Sequence, residues 1–84
     1  MSPLPLDQNK VQLGLGMAVN EARKKKGLTQ EELATRVELH ETYISLIESG
    51  RRNPTWGVVR RISRALEVPL PDLVERAEEL AKEL

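Results

Sequence analysis

The stretch from Thr29 to Pro54 contains two runs of helical periodicity separated by only a few residues. Apolar side chains stand at positions 33, 34 and 37 in the first run and at 44 and 47 in the second, the spacing of one helix face. The break between the runs, residues 38–40, leaves room only for a tight turn. The pattern therefore predicts two short helices that cross steeply, and the small side chain of Ala34 would allow their close approach.

A longer helix is predicted before this pair. It runs from about Val11 to Lys26 and ends at Gly27, a residue suited to a left-handed C-cap. Thr29, with Glu32 three residues later, forms a capping box, so the next helix begins immediately after Thr29. These local patterns fix the boundaries of the first two helices.

Two more helices are predicted in the C-terminal part of the chain. Thr55 can cap the first of them, and apolar positions at 56, 59, 62, 65 and 66 place Trp56 in the core. After a Pro-Leu-Pro segment, the last helix covers about residues 71–84. Its apolar stripe is too short to be stable alone, so it either packs back on the domain or forms a two-fold interface.

The chain is predicted to be one all-α domain, a compact five-helix unit with an extended C-terminal helix. Residues 1–10 contain two prolines and no helical periodicity, which predicts an extended leader that can be disordered. Residues 11–84 form the domain, and the two crossing helices occupy about residues 29–49. A chain of 84 residues has a small core, and dimerisation would add to its stability.

Composition excludes several classes of protein. The chain has no cysteine and a single histidine, His40, so a disulfide framework and a thiolate or histidine metal site are not expected. No arrangement of catalytic residues is visible, which argues against an enzyme, and no cofactor or small-molecule ligand is expected. No apolar run approaches the roughly 18 residues of a membrane span, and the N-terminus lacks the basic-then-apolar order of a signal peptide, so neither segment is expected. A cytoplasmic protein is expected.

The formal charge is zero, but it is unevenly distributed. Residues 1–66 hold 11 basic and 7 acidic side chains, whereas residues 67–84 hold 2 and 6. The body of the chain therefore carries +4 and the tail −4. A positive body is compatible with a nucleic-acid partner, and an acidic tail would stay away from it.

Many residues at fixed spacing carry one family pattern: Leu15-Gly16, Arg23, Lys26–Ala34, Tyr43–Ser45, Ile47-Glu48, Gly50, Pro54, Ile62 and Ala65-Leu66. With these residues the sequence resembles the lambda-repressor-like helix-turn-helix family from about Leu15 to Leu73. The resemblance implies a DNA-binding transcriptional regulator that acts as a homodimer on two half-sites about 34 Å apart. The segments LHETYIS and ESGRRN are also similar to controller proteins of restriction-modification systems, although stand-alone repressors and antitoxins share these features.

The resemblance implies that the second helix of the pair, about residues 41–49, reads bases in the major groove. The matching positions are Glu41, Thr42 and Leu46, with Ser45 beside them. This face lacks the Arg, Gln and Asn side chains that usually make bidentate base contacts. Thr42 and Ser45 can each make one hydrogen bond, Leu46 can contact a thymine methyl, and Glu41 can accept from cytosine N4 or repel a phosphate. DNA shape is then expected to contribute to specificity.

Phosphate contacts are expected beside this helix. The family's glutamine at the start of the preceding helix binds a phosphate, and the resemblance assigns that role to Gln30. The ring of Tyr43 can pack while its hydroxyl reaches a phosphate. The arginines of the following loop are either solvated charges or phosphate ligands, and their position favours the second. The remaining expected contacts are Ser49, Arg51, Arg52 and Asn53.

The resemblance also implies a structural ion pair between Arg23 and Glu48. Relatives usually have glycine where this chain has Glu38, so Glu38 either adopts a strained left-handed conformation or the turn differs. His40 stands where relatives often have a serine or threonine N-cap, and it is expected to be structural or peripheral.

Relatives commonly dimerise through their C-terminal region, which favours an interface over packing for the apolar stripe of the last helix. Its residues are Leu73, Ala77, Leu80 and Leu84. A rival function is a protein-interaction module on the same scaffold. Zero net charge, Leu46 on the outer face and the acidic amphipathic tail favour that alternative.

Overall fold

The computed structural model describes residues 8–84, and all of their regular structure is helical. The predicted all-α fold of five helices is confirmed: α1 is Gln8–Lys26, α2 is Gln30–Val37, α3 is Glu41–Glu48, α4 is Trp56–Leu66 and α5 is Leu70–Lys82. In this part of the chain no helix has the length and apolarity needed to cross a bilayer.

Two predicted boundaries differ from the structure. The expected leader covered residues 1–10, but residues 8–10 form the first turn of α1, and the preceding seven residues lie outside the described part. Residues 8–10 contain no helix breaker, so the helix extends backwards through them at little cost. At the other end, α5 begins at Leu70 and has Pro71 in its first turn, where a missing N–H costs nothing.

The helix ends follow the predicted local chemistry. The Thr29 hydroxyl accepts from the Glu32 N–H and the Glu32 carboxylate accepts from the Thr29 N–H, which completes the capping box. Gly27 has a positive φ of 80° after α1. Thr55 caps α4 by accepting from the Val58 N–H at 3.2 Å.

The turn between α2 and α3 contains a strained residue. Glu38 has φ 58° and ψ 43°, so it is a non-glycine residue in the left-handed region. His40 acts as the N-cap of α3, because its Nδ1 atom accepts from the Thr42 N–H at 3.1 Å. Of the two predicted alternatives for this turn, the strained left-handed Glu38 is therefore the one adopted, and His40 supplies the cap of α3.

The core lies between α1 and the other four helices. Val19, Leu33, Ile44, Ile47 and Ile62 are almost completely buried. The crossing of α1 and α5 is close because α1 has a glycine there: a Cβ at position 14 would lie only 2.8 Å from the Cβ of an α5 alanine.

The apolar stripe of α5 packs on this core, so the expected dimer interface at these residues is wrong in part. Leu73 and Leu80 are 2% and 6% exposed within the single chain. Ala77 is partly buried, and only Leu84 is largely exposed. Side chains that the domain's own core already covers are not available to a second copy.

The predicted core position of Trp56 is also wrong, because its side chain is 65% exposed. Trp56 is the first residue of α4, and a helical side chain leans toward the helix N-terminus, here beyond the end of the packed layer. The buried face of α4 is formed instead by Val58, Val59, Ile62 and Leu66.

Candidate nucleic-acid interface

The α3 helix presents one polar face to solvent. Ile44 and Ile47 anchor its inner side. The side chains of Glu41, Thr42 and Ser45 on the opposite side are exposed, and Leu46 at the edge of this face is half-buried. All four side chains expected to contact bases therefore share one side of α3, where they offer a carboxylate, two hydroxyls and an apolar surface.

A basic loop follows α3 directly. Ser49 is the C-cap of α3, and its hydroxyl donates to the Leu46 carbonyl at 3.1 Å. Gly50 then turns the chain with a φ of 76°, and the side chains of Arg51, Arg52 and Asn53 are exposed. The predicted α3 included Ser49, so the helix is one residue shorter than expected.

This loop is attached to α1. The Gln12 Nε2 atom donates to the Gly50 carbonyl at 3.1 Å. A Cβ on Gly50 would lie 2.6 Å from a side-chain atom of Leu13, so glycine is required there for space as well as for its φ angle. These contacts fix the loop, and with it the two arginines, at the end of α3.

Arg52 and Tyr43 come together on the same surface. The guanidinium carbon of Arg52 lies 5.1 Å from the centre of the Tyr43 ring, within the range of a cation–π contact. A guanidinium that stacks on a ring keeps its in-plane N–H groups available for an anion. The ring thus orients one of the expected phosphate ligands.

Glu48 joins three helices through one carboxylate. The predicted ion pair with Arg23 is present: Arg23 Nε lies 2.7 Å from Glu48 Oε2, and a second guanidinium nitrogen lies 3.1 Å from Oε1. Asn20 of α1 donates to Oε1 at 2.8 Å, and Gln30 of α2 donates to the same atom at 2.9 Å. Arg23 also donates to the Leu28 carbonyl at 2.6 Å.

The electrostatics of this cluster favour the ionised form of Glu48. Burial raises the pKa of the Glu48 carboxyl, but the hydrogen bonds from Arg23, Asn20 and Gln30 outweigh that effect and hold the pKa below its ordinary value. The two ion-pair side chains are only 9% and 4% exposed. The cluster therefore forms a fully paired charge inside the helix junction.

Sequence reasoning missed Asn20 and the second role of Gln30. Gln30 is the first residue of α2, as expected for a phosphate ligand, but its side-chain amide donates to Glu48. A carboxylate has about four acceptor sites and Arg23 uses two of them, so additional donors were required. The two unused acceptor sites of Glu48 could have been noticed from the sequence. The sequence did not indicate which polar residues would donate to them.

Comparison with known proteins assigns this chain to a family. A helix-turn-helix family model matches residues 19–73. Control protein C.BamHI of Bacillus amyloliquefaciens is 41% identical over 68 residues, which cover 80% of this chain and 84% of that protein.

Solved structures agree with this match. The clp gene regulator ClgR from C. glutamicum superimposes with a TM-score of 0.80 at 28% identity, covering 94% of this chain and 96% of that one. The restriction-modification controller protein C.Esp1396I, solved as a tetramer with its natural 35 base-pair operator, has a TM-score of 0.77 at 32% identity and covers 86% and 95% of the two chains. The chain therefore belongs to the lambda-repressor-like helix-turn-helix family of transcriptional regulators, which includes the restriction-modification controller proteins.

Proposed function

We propose that this protein is a sequence-specific transcriptional regulator that binds double-stranded DNA as a homodimer. The observation that carries the proposal is the exposed polar face of α3, which continues into a fixed loop with two exposed arginines. In this proposal α3 enters the major groove, with Glu41, Thr42, Ser45 and Leu46 toward the base edges.

Phosphate contacts hold α3 in register on the duplex. Arg51 and Arg52 bind phosphates on one flank, with support from Ser49, Asn53 and the Tyr43 hydroxyl. On the other flank, the N-terminal amides of α2 that the capping box does not use meet a phosphate, and Gln30 can use its second amide hydrogen while the first remains on Glu48. Glu48 thus keeps Gln30 oriented for this contact.

Base discrimination in this proposal is weak at each position. One hydrogen bond from a hydroxyl distinguishes bases less well than a bidentate arginine or glutamine contact. The operator is therefore selected by several small contributions together with the local shape and flexibility of the DNA.

A homodimer fits the assembly seen in a relative. C.Esp1396I was solved as a tetramer on a 35 base-pair operator, so that controller protein binds DNA as several copies. Two copies of this chain related by a two-fold axis would read two inverted half-sites about 34 Å apart, one helical turn of DNA. Its similarity to C.BamHI and C.Esp1396I supports a controller role, in which the protein regulates its own gene.

Selection from random DNA duplexes, followed by sequencing, tests this proposal. The expected result is a motif with two inverted half-sites about one helical turn apart. The double variant Thr42→Ala and Ser45→Ala should change the motif, whereas Arg60→Ala, an exposed change on α4, should not. Absence of enrichment with protein shown to be helical by circular dichroism would contradict the proposal and favour a protein-interaction module.

A further inference from the structure

The C-terminal end of α2 is held by a side chain from α4. Val37 is the last residue of α2, and the Nη1 atom of Arg61 donates to its carbonyl at 2.9 Å. The last carbonyls of a helix have no partner within the helix, so Arg61 supplies a donor to one of them. The bond is charge-assisted, and a cation at this end of a helix also complements the helix dipole.

This bond lies directly beside the strained turn between α2 and α3. Glu38 follows Val37 with φ 58° and ψ 43°. Glu67 is the other non-glycine residue with a positive φ in the described part of the chain. There too α4 holds an adjacent carbonyl, because the Ser63 hydroxyl donates to the Val68 carbonyl at 2.6 Å. Each strained residue is thus tied to α4 through the carbonyl of its neighbour.

The two ends of α3 depend on different contacts. The C-terminal end is fixed by the Glu48 cluster and by the bond from Gln12 to the following loop. The N-terminal end follows the turn, and its first residues, Glu41 and Thr42, are two of the four proposed base contacts. A recognition helix contacts base edges mainly with its N-terminal residues. The geometry of the turn therefore decides where these two side chains lie relative to the duplex.

We propose that Arg61 is a positioning residue for DNA recognition, which fixes the α2–α3 turn and thereby the N-terminal end of α3 without touching DNA. The proposal rests on the regulator function proposed above. In that function the N-terminal end of α2 meets a phosphate, whereas Arg61 binds the opposite end, about 10 Å away along the helix axis. Arg61 therefore acts on operator binding through the shape of the turn and not as a phosphate ligand.

Without the Arg61 bond, the turn should spend part of its time in other conformations. A strained residue persists only where its surroundings hold it in place, and the bond to Val37 is one of the contacts that hold Glu38. The apparent affinity of a protein falls in proportion to the fraction that is competent to bind. If the competent fraction of Arg61→Ala is about one fifth, its dissociation constant for the operator rises about fivefold.

The experiment measures the affinity of the full chain for two duplexes, one with the motif that the wild type enriches in the DNA selection and one with the same bases scrambled. Urea unfolding checks that each variant is folded under the binding conditions. Arg61→Ala should bind the motif about fivefold more weakly and the scrambled duplex less than about twofold more weakly, since unrelated DNA is bound through its phosphates. Arg61→Lys, which keeps a cationic donor, should restore most of the loss.

Arg60→Ala is the matched control for Arg61→Ala. Arg60 is the preceding residue of α4 and is also exposed, so its removal takes away the same charge while the bond to Val37 remains. Both affinities should then change less than about twofold, because distant exposed charges are screened by salt. A double-mutant cycle tests the connection to strain. Glycine accepts the left-handed conformation freely, so Arg61→Ala should cost less than about twofold when combined with Glu38→Gly.

Three outcomes would overturn the positioning role. They are an unchanged affinity of Arg61→Ala for the motif, an equal loss on both duplexes with a flatter salt dependence, and an equal loss with and without Glu38→Gly. The second outcome would make Arg61 a phosphate ligand.

Failure of the proposed function is recognised separately, because the wild type then enriches no motif. Control of the turn can still be measured by amide hydrogen exchange. The Leu39 N–H donates to the Ala34 carbonyl at 2.9 Å, and it should exchange at least about fivefold faster in Arg61→Ala than in Arg60→Ala. Equal rates in the two variants would show that Arg61 does not hold the turn.

Discussion

Replacing Glu48 with alanine would leave the guanidinium of Arg23 buried without its carboxylate. The same change would remove the acceptor for Asn20 and Gln30, so three donors from two helices would lose their partner. Arg23 would keep only its bond to the Leu28 carbonyl. The variant therefore tests whether this carboxylate holds α3 against α1 and α2.

The expected loss is large compared with the stability of such a small domain. Removing one partner of a buried ion pair costs about 3–5 kcal/mol, and the side chains of this pair are 9% and 4% exposed. A chain of 84 residues is expected to have about 4–13 kcal/mol of stability in total. With a urea m-value of about 1.5 kcal/mol/M, the unfolding midpoint should fall by about 2–3 M.

Urea unfolding followed by circular dichroism measures this loss, and Glu21→Ala is its matched control. Glu21 pairs with Arg76 at 2.8 Å, a similar distance, but the two side chains are 51% and 41% exposed. Exposed pairs contribute little, so the control midpoint should shift several-fold less. If Glu48→Ala and Glu21→Ala shift the midpoint equally, burial of the Glu48 cluster is not what makes it important.

Other predictions test the loop, the turn and the effect of pH. Arg51→Ala should flatten the dependence of log affinity on log salt by about 0.9, while Arg60→Ala leaves the slope unchanged in the same titration. Glu38→Gly should increase the free energy of unfolding by about 1 kcal/mol, because glycine accepts φ 58° without strain. The urea midpoint should therefore rise, and a lower midpoint would contradict this. Gly50→Ala should cost at least about 1–2 kcal/mol in the same assay, since φ is 76° and an α1 side chain occupies the space of the Cβ. The lowered pKa of Glu48 means that its contribution is complete above the unfolded-state value of about 4.3 and is lost as pH falls through the folded-state value. Melting temperatures below about pH 4.5 should therefore fall more steeply for the wild type than for Glu48→Gln.

Features that depend on a few neighbouring residues could be predicted from the sequence. The capping box at Thr29, the C-cap at Gly27 and the cap at Thr55 each involve residues no more than four positions apart. The sequence predicts either strain at Glu38 or a different turn, and its φ of 58° shows that Glu38 adopts the strained left-handed conformation.

Features that depend on which helix covers which surface could not be predicted in this way. Helical spacing assigned Trp56 to the same face as Val59 and Ile62, but within residues 8–84 the packing leaves its side chain 65% exposed. The stripe of α5 had two physically reasonable partners, the domain itself or a second copy, and the packing of Leu73 and Leu80 on the core decided the matter. Only the three-dimensional arrangement distinguishes such alternatives.

The Glu48 cluster holds α3 from its inner side. The residues that stabilise α3 are therefore different from those on its outer, solvent-exposed face. The side chains of Glu41, Thr42 and Ser45 make no hydrogen bond to any other described residue, and they lie outside the core. In the proposed DNA complex, substitutions at these three positions therefore alter operator preference while the scaffold stays intact. If the proposed base contacts hold, an evolving regulator of this kind acquires a new operator through single substitutions, each of which leaves a folded protein.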